Sequence, residues 1–358
     1  MQPARRRQLQ RLAPSLLDWY AAHARDLPWR HTSDPYAIWI SEVMLQQTQA
    51  ATVIPYWKRW LAALPTVHKL ARAREQTILR LWAGLGYYSR VRRLRQAARL
   101  IVQDHNGRLP SDPDTLQTLP GIGPYTAGAI ASIAFEQPAP LVDGNITRVF
   151  SRLHGLTQAN DQELWAMAKV FVQAAHATGR HNACGDLNQS LMEIGATVCT
   201  PRQPICALCP LRRSCVAHRT GDPTAFPAPV PRPRLRQRRV LAFLIQCRGR
   251  YLVEQRPAKS VNAGLWEFPN TEAPAHANTD EIAANLLPAP PQELTPLTTI
   301  KHTITRTRFQ LEAFTGKLER TGLGPGCWLA ARELARLPWT AAHRRLLACA
   351  GLAAAKRT

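Results

Sequence analysis

An all-α region over the first 220 residues, followed by a smaller α+β region, is the architecture this sequence predicts. Three observations predict it. Apolar residues recur at three- and four-residue intervals from residue 12 to about residue 216, with no convincing strand between them. Pro223, Pro227, Pro229, Pro231 and Pro233 then crowd a short segment that runs into Arg232, Arg234, Arg236, Arg238 and Arg239, which reads as an extended basic linker over 221–239. After it, residues 240–247 and 251–255 are β-rich runs separated by Arg-Gly-Arg, a hairpin pattern.

Within the helical region, turns are expected at Leu27-Pro28, Asp34-Pro35, Leu64-Pro65, Asn106-Gly107 and Ser111-Asp112-Pro113. In the second region, further strands are expected at 299–304 and 309–316, with helices near 280–287 and 341–354. No internal repeat is present. At 358 residues the chain is long enough for two domains with separate cores. Its formal net charge of +22 and pI near 10.7 come from cations spread over much of the chain, so the natural partner is a polyanion, nucleic acid before an anionic membrane. No apolar run reaches membrane-span length, and the basic start lacks the apolar core of a secretory signal. Cytoplasmic location is expected.

The helix expected over 36–52 is apolar nearly all round and should be buried. Glu42, Gln46 and Gln49 would form one polar stripe on it. Flanked by Ile40, Val43, Met44 and Leu45, Glu42 would be partly desolvated and available as a proton donor near neutral pH; the alternative is a buried glutamate held by an arginine elsewhere. Further on, Gly84-Leu-Gly-Tyr-Tyr-Ser-Arg is followed by Arg92, Arg93, Arg95 and Arg99. Such arginines are either a solvated face or backbone contacts beside a stacking aromatic.

Residues 119–145 carry Leu-Pro-Gly-Ile-Gly-Pro-Tyr-Thr-Ala-Gly-Ala-Ile and then Leu-Val-Asp-Gly-Asn. Gly121 and Gly123, with Pro124 at a first helical position, describe a tight hairpin whose amides suit a phosphate, or an ordinary corner between helices. Asp143 is either an N-cap or a carboxylate kept charged beside helix-start amides. One carboxyl that keeps its proton and one that keeps its charge can together cleave a glycosidic bond. Cys199, Cys206, Cys209 and Cys215 give C-x6-C-x2-C-x5-C, a metal-site pattern open to zinc or iron–sulfur, with a disulfide pair as the weaker reading. The remaining cysteines, Cys184, Cys247, Cys327 and Cys349, are scattered.

These motifs together resemble a known family. LPGIGPYTAGAI with VDGN is similar to the helix-hairpin-helix DNA glycosylases, and the cysteine spacing is that of their [4Fe–4S] loop. SEVMLQQTQ, GLGYYSR and the later GLWEFP at 264–269 resemble the MutY family of adenine DNA glycosylases, over nearly the whole chain.

The resemblance implies a helix-hairpin-helix glycosylase core with an iron–sulfur cluster loop at 199–215, plus a C-terminal Nudix-like domain. It implies a catalytic domain over 1–220, with a six-helix barrel module at about 30–142, and a lesion-reading domain over 240–358. The partner would be double-stranded DNA with adenine opposite 8-oxoguanine or guanine, bound by a monomer associated with a bacterial nucleoid. By position, Glu42 would protonate the flipped adenine and position water, Asp143 would stabilise the sugar cation, and Asn145 would support that carboxylate. Gln47 and Tyr87 would wedge into the duplex; Trp29, Arg30, Leu45 and Gln189 would line the adenine pocket. Tyr125 stands where related bifunctional enzymes place a Schiff-base lysine, so the resemblance implies base excision without lyase activity.

In the second domain the acidic Nudix box is missing. The strand expected to contact the lesion carries Ile304, Thr305 and Arg306 where the family commonly has Phe-Ser-His, with Thr305 as the hydroxyl in place of the serine. Three alternatives are an endonuclease III-like glycosylase and lyase, a catalytically silent lesion-binding protein, and a Nudix pyrophosphatase. Tyr125 opposes the first, the pair Glu42 and Asp143 the second, and the missing box the third.

Overall fold

The computed structural model of the chain describes residues 1–229, 235–258, 260–304, 306–321 and 325–352. Along the first part run α1 (Pro3–His23), α2 (Pro35–Leu45), α3 (Ala50–Ala63), α4 (Val67–Arg72), α5 (Glu75–Trp82), α6 (Ser89–Asp104), α7 (Pro113–Gln117) and α8 (Pro124–Phe135). They are followed by α9 (Gly144–His154), α10 (Asp161–His176), α11 (Ala183–Thr197) and α12 (Val216–Arg219). No residue of 1–229 lies in a strand. The sequence signals explain several starts: Asp34, Asp112, Asp143 and Asn160 each cap a helix by accepting a first-turn amide, and Pro35, Pro113 and Pro124 occupy first-turn positions.

Two compact units emerge, Met1–Arg72 with Arg93–Pro231, and Ala73–Arg92 with Arg232–Thr358. The first unit is built on α1, α9, α10 and α11, whose Leu9, Leu16, Phe150, Phe171 and Leu187 are fully buried in one apolar cluster. Phe150 and Phe171 stack there at 5.7 Å. Helix α2 is buried from Tyr36 to Met44, as its apolar circumference requires. Its carbonyls and hydroxyls are taken up by tryptophans: Trp57 donates to the Ala37 carbonyl at 2.9 Å, and Trp60 to the Tyr36 hydroxyl at 3.2 Å.

One expectation fails here. The helix predicted over 36–52 stops at Leu45; Gln47 takes a left-handed backbone (φ 58°), and Gln49 becomes the residue before α3. The polar stripe therefore dissolves: the Gln46 amide reaches the Thr126 hydroxyl of α8 at 3.3 Å, and Gln49 lies beyond the break.

In the second unit, β1 (Arg236–Cys247) and β2 (Arg250–Gln255) form the expected hairpin. Arg248 and Gly249 between them are both left-handed (φ 47° and 75°), the geometry of a two-residue primed turn. Arg236, Arg238 and Arg239, expected in the linker, thus lie in a strand, while Pro231, Arg232, Pro233 and Arg234 of that linker lie outside the described residues. The sheet is completed by β3 (Trp266–Glu267), β4 (Asn270–Ala273), β5 (Gln292–Ile304), β6 (Thr307–Lys317) and β7 (Cys327–Ala330). β1 and β6 pair in parallel; every other pairing among these strands is antiparallel.

Three helices, α13 (Thr279–Leu286), α14 (Ala331–Leu334) and α15 (Ala341–Cys349), accompany the sheet. β1 is buried on both faces. Val240, Ala242 and Leu244 share a core with Leu346 and Leu347 of α15, while Leu241, Phe243 and Ile245 share one with Ala283 of α13. An uninterrupted apolar run is what a strand covered on both sides needs. Among the described residues, no helix is long and apolar enough to cross a membrane.

Candidate active site

Glu42 lies in the middle of α2 with 4% of its surface exposed. One oxygen accepts a hydrogen bond of 2.9 Å from the Tyr125 hydroxyl on α8. Burial pushes the Glu42 carboxyl up to about 7; the Tyr125 bond and the Arg30 charge pull against this, and the Asp143 charge adds to it. A carboxyl so placed holds a proton at neutral pH and can give it up. The same burial, with Glu42 and Asp143 facing it, drives the Tyr125 phenol upward, so this group is a hydroxyl donor and not a phenolate.

Asp143 realises the N-cap reading. One oxygen caps α9 by accepting the Ile146 amide at 2.8 Å, and the other accepts the Asn145 side-chain amide at 2.9 Å. Asn145 is in turn fixed by Arg148, whose guanidinium donates to the Asn145 oxygen (2.8 Å), the Gly195 carbonyl (2.6 Å) and the Cys199 carbonyl (2.7 Å). A continuous set of hydrogen bonds therefore runs from the first cysteine of the loop to Asp143. Arg148 carries no sequence signal beyond its place on α9, and sequence reasoning missed it.

Glu193 of α11 was missed as well, although its signal is the one that singled out Glu42: a carboxylate inside an apolar helical run. Its side chain is 1% exposed and is bound by Arg25 at 2.6 Å and by Arg30 at 2.8 Å. Burial alone would raise its carboxyl, but the two guanidiniums hold it down to about 2. The arginine-held glutamate considered for Glu42 is thus realised at Glu193. Arg30 also lies over the Tyr20 ring, 5.2 Å from its centroid. Gln189, Met192 and Glu193 follow i, i+3, i+4 on α11, and the Met192 sulfur accepts from the Tyr125 hydroxyl at 3.2 Å. Trp29 is buried edge-on to Trp57 at 6.2 Å, and Leu45 and Gln189 are half-buried.

The hairpin before α8 is built as its glycines suggest. Gly121 has φ 81°, and a Cβ there would stand 2.8 Å from the Arg93 Cβ. Gly123 precedes α8 in an extended backbone, and a Cβ there would meet nothing within 4 Å, which leaves open space at the helix start. Arg93 packs against Gly121, while Arg99 donates to the Ala71 carbonyl at 3.3 Å.

Four cysteines come together after α11. Cys199, Cys209 and Cys215 pack against the helical core, and none of the chain's cysteines is in a disulfide among the described residues. Burial, reinforced by the other three cysteines, pushes the Cys209 thiol up to about 12. Arg152, 3% exposed, ties the loop down by donating to the Cys199 sulfur (3.4 Å) and to the carbonyls of Thr200, Pro201 and Phe226. Among the described residues no three His, Cys, Asp or Glu side chains are placed to hold a single metal ion.

The comparisons with known proteins bear on this arrangement. Residues 40–172 match the family described as HhH-GPD superfamily base excision DNA repair protein, and residues 240–349 match the NUDIX domain. The human adenine DNA glycosylase is 36% identical over 389 residues, which covers 89% of this chain and 70% of that protein. This chain belongs to the adenine DNA glycosylase family. The adenine DNA glycosylase of Mycobacterium tuberculosis is 40% identical over 262 residues, covering 72% of this chain and 80% of that protein. The solved structure of a thermostable thymine-DNA glycosylase superposes with a TM-score of 0.54 at 28% identity, covering 60% of this chain and 98% of that one.

In this adenine DNA glycosylase family member, Gln47 and Tyr87 are both exposed and both left-handed (φ 58° and 47°), at loop tips. They belong to different compact units. Thr305 lies outside the described residues; its neighbour Arg306 is exposed at the β5–β6 turn.

Proposed function

We propose that the chain is a monofunctional DNA glycosylase that hydrolyses the N-glycosidic bond of adenine paired with 8-oxoguanine or guanine in double-stranded DNA. The observation that carries this reading is the 2.9 Å hydrogen bond between Tyr125 and a Glu42 carboxyl lifted to about 7. Glu42 gives its proton to a ring nitrogen of the extruded adenine. The bond to the sugar breaks with its electron pair leaving on the base, and the cation left on the sugar faces the Asp143 carboxylate. Water then adds to that cation and returns its proton to Glu42, which closes the cycle. Tyr125 holds Glu42 through its hydroxyl and has no amine with which to form an imine to the sugar, so the backbone strand stays intact.

Asn145 and Arg148 keep Asp143 aimed; the ion pair of Glu193 with Arg25 and Arg30 supports the pocket wall formed with Trp29, Leu45 and Gln189. Gln47 and Tyr87 enter the duplex, Gly121 and Gly123 bring backbone amides to a phosphate, and the domain over 240–358 reads the lesion, with Thr305 as its candidate hydroxyl contact.

Cys199, Cys206, Cys209 and Cys215 would hold a [4Fe–4S] cluster. Four free, half-buried thiols, with the buried cation Arg152 against the Cys199 sulfur, suit an anionic cluster held by four thiolates. When bound, the cluster would supply rigidity to the loop that carries the Cys199 carbonyl.

The test is an excision assay on duplexes that pair adenine with 8-oxoguanine, guanine or cytosine. Release of adenine from the first two, with strand breakage only after hot alkali, is expected. Equal excision opposite cytosine removes the mispair reading, and absence of excision removes the glycosylase reading.

A further inference from the structure

The segment Ala73–Arg92, which carries Tyr87, belongs to the second compact unit although it lies within the helical part of the sequence. Its tip is a hydrogen-bonded knuckle. Gly84, Gly86 and Tyr87 are all left-handed (φ 113°, 73° and 47°), and the buried Trp82 indole donates to the Gly86 carbonyl at 3.0 Å. Arg90 donates to the carbonyls of Leu85 and Gly86 and lies over the rings of Trp82 and Tyr87, at 5.3 and 5.6 Å. The knuckle leaves Tyr87 half exposed, at 50%.

This knuckle is tied to the rest of its unit at two points. Arg92 donates to the Ala263 carbonyl while its Nε is paired with Glu75 at 2.7 Å, and Arg344 of α15 donates to the Ala83 carbonyl, at the C-terminal end of α5, at 3.1 Å. The receiving loop is itself pinned. Arg256 holds the Val261 carbonyl at 2.6 Å and Glu267 at 2.6 Å, and the Gly264 amide returns to the Arg256 carbonyl at 2.9 Å. Gly264 is left-handed (φ 69°), and a Cβ there would stand 3.0 Å from the Arg92 guanidinium and 3.6 Å from Leu79 of α5. This is the Gly-Leu-Trp-Glu-Phe-Pro motif that has no acidic box to serve.

We infer that Arg92 and Arg344 are positioning residues for base extrusion, through which the loop at 256–264 and α15 brace the Tyr87 knuckle against the duplex. The inference rests on the wedge role proposed for Tyr87. Unstacking a base pushes back on whatever enters the stack, so a wedge works only on a support that does not yield. Here the support is the unit that contains the lesion-reading sheet, so the brace couples what that sheet binds to what Tyr87 does.

The test uses the full chain with Arg92→Ala, Arg344→Ala, the conservative Arg344→Lys, and Tyr87→Ala. Extrusion is read from 2-aminopurine fluorescence at the target position. Excision is measured on adenine opposite 8-oxoguanine and on adenine opposite an abasic-site analogue, which is already unpaired and costs less to extrude. For the two alanine variants the expected result is a loss of about tenfold or more in extrusion and in excision from the paired duplex, as for a lost charge-assisted hydrogen bond. Excision opposite the abasic analogue should be unchanged, and Arg344→Lys should recover the loss. Unchanged extrusion, or an equal loss on both substrates, overturns the brace. If Tyr87→Ala itself leaves extrusion intact, the wedge reading fails; if only Tyr87→Ala matters, the brace alone fails.

Discussion

Replacing Glu42 with glutamine separates chemistry from folding, because the two respond in opposite directions. The Glu42 carboxyl goes from its usual 4.5 to about 7 because it is buried, so the folded chain binds this proton more tightly than the unfolded chain between those values. Stability therefore falls as pH rises from about 4.5 to about 7 and stays lower above it, by about 3 kcal/mol at 1.36 kcal/mol per tenfold. A glutamine side chain at this position fills the same space, accepts the same Tyr125 hydrogen bond and never ionises. The Glu42→Gln variant should match the native chain in stability near pH 4.5 and exceed it by about 3 kcal/mol at about pH 8, read from denaturant melts across that range. Single-turnover excision should meanwhile fall by about two to four orders of magnitude, the usual loss for a missing general acid. A variant that excises at the native rate refutes the proton-donor role. One that is less stable than the native chain above neutral pH refutes the account of why the proton is held.

Other outcomes follow from the same contacts. Tyr125→Phe removes the hydrogen bond that pulls Glu42 downward, so the alkaline limb of the excision–pH profile, near 7 in the native chain, should move to higher pH. Glu193→Gln leaves the largely buried Arg30 without its carboxylate, while Arg25 is exposed enough for water to replace it, so a lower melting midpoint is expected. Arg148→Lys cannot span Asn145, Gly195 and Cys199 together, so kcat should fall with little change in duplex affinity. Iron analysis should find about four atoms per chain with absorbance near 400 nm, both lost in Cys209→Ser; a colourless protein carrying one zinc would contradict the cluster assignment.

Element types and the hairpin were legible because they depend on local chemistry: proline at helix starts, aspartate caps, glycine where the backbone turns left-handed. Tertiary choices were not. Glu42 and Glu193 each have apolar neighbours along their helix, and only the fold decides that Arg25 and Arg30 go to Glu193 while Tyr125 goes to Glu42. The break after Leu45 has no glycine or proline to announce it, and the contact beside it, from Gln46 to Thr126, spans eighty positions. The placement of Ala73–Arg92 was hidden for a similar reason, since Arg92 and Arg344 are ordinary surface arginines until backbone carbonyls come within their reach. Two of the arginines, Arg92 and Arg344, donate to backbone carbonyls of the chain itself.

In the proposed mechanism Glu42 and Asp143 release adenine while Tyr125, unable to form an imine, leaves the strand whole. Following free adenine and strand breaks together on one duplex with adenine opposite 8-oxoguanine, before alkali and with borohydride present, tests it most directly. The account predicts adenine released in step with alkali-labile sites, no breaks before alkali and no trapped covalent complex. Breaks without alkali together with a trapped complex would contradict it.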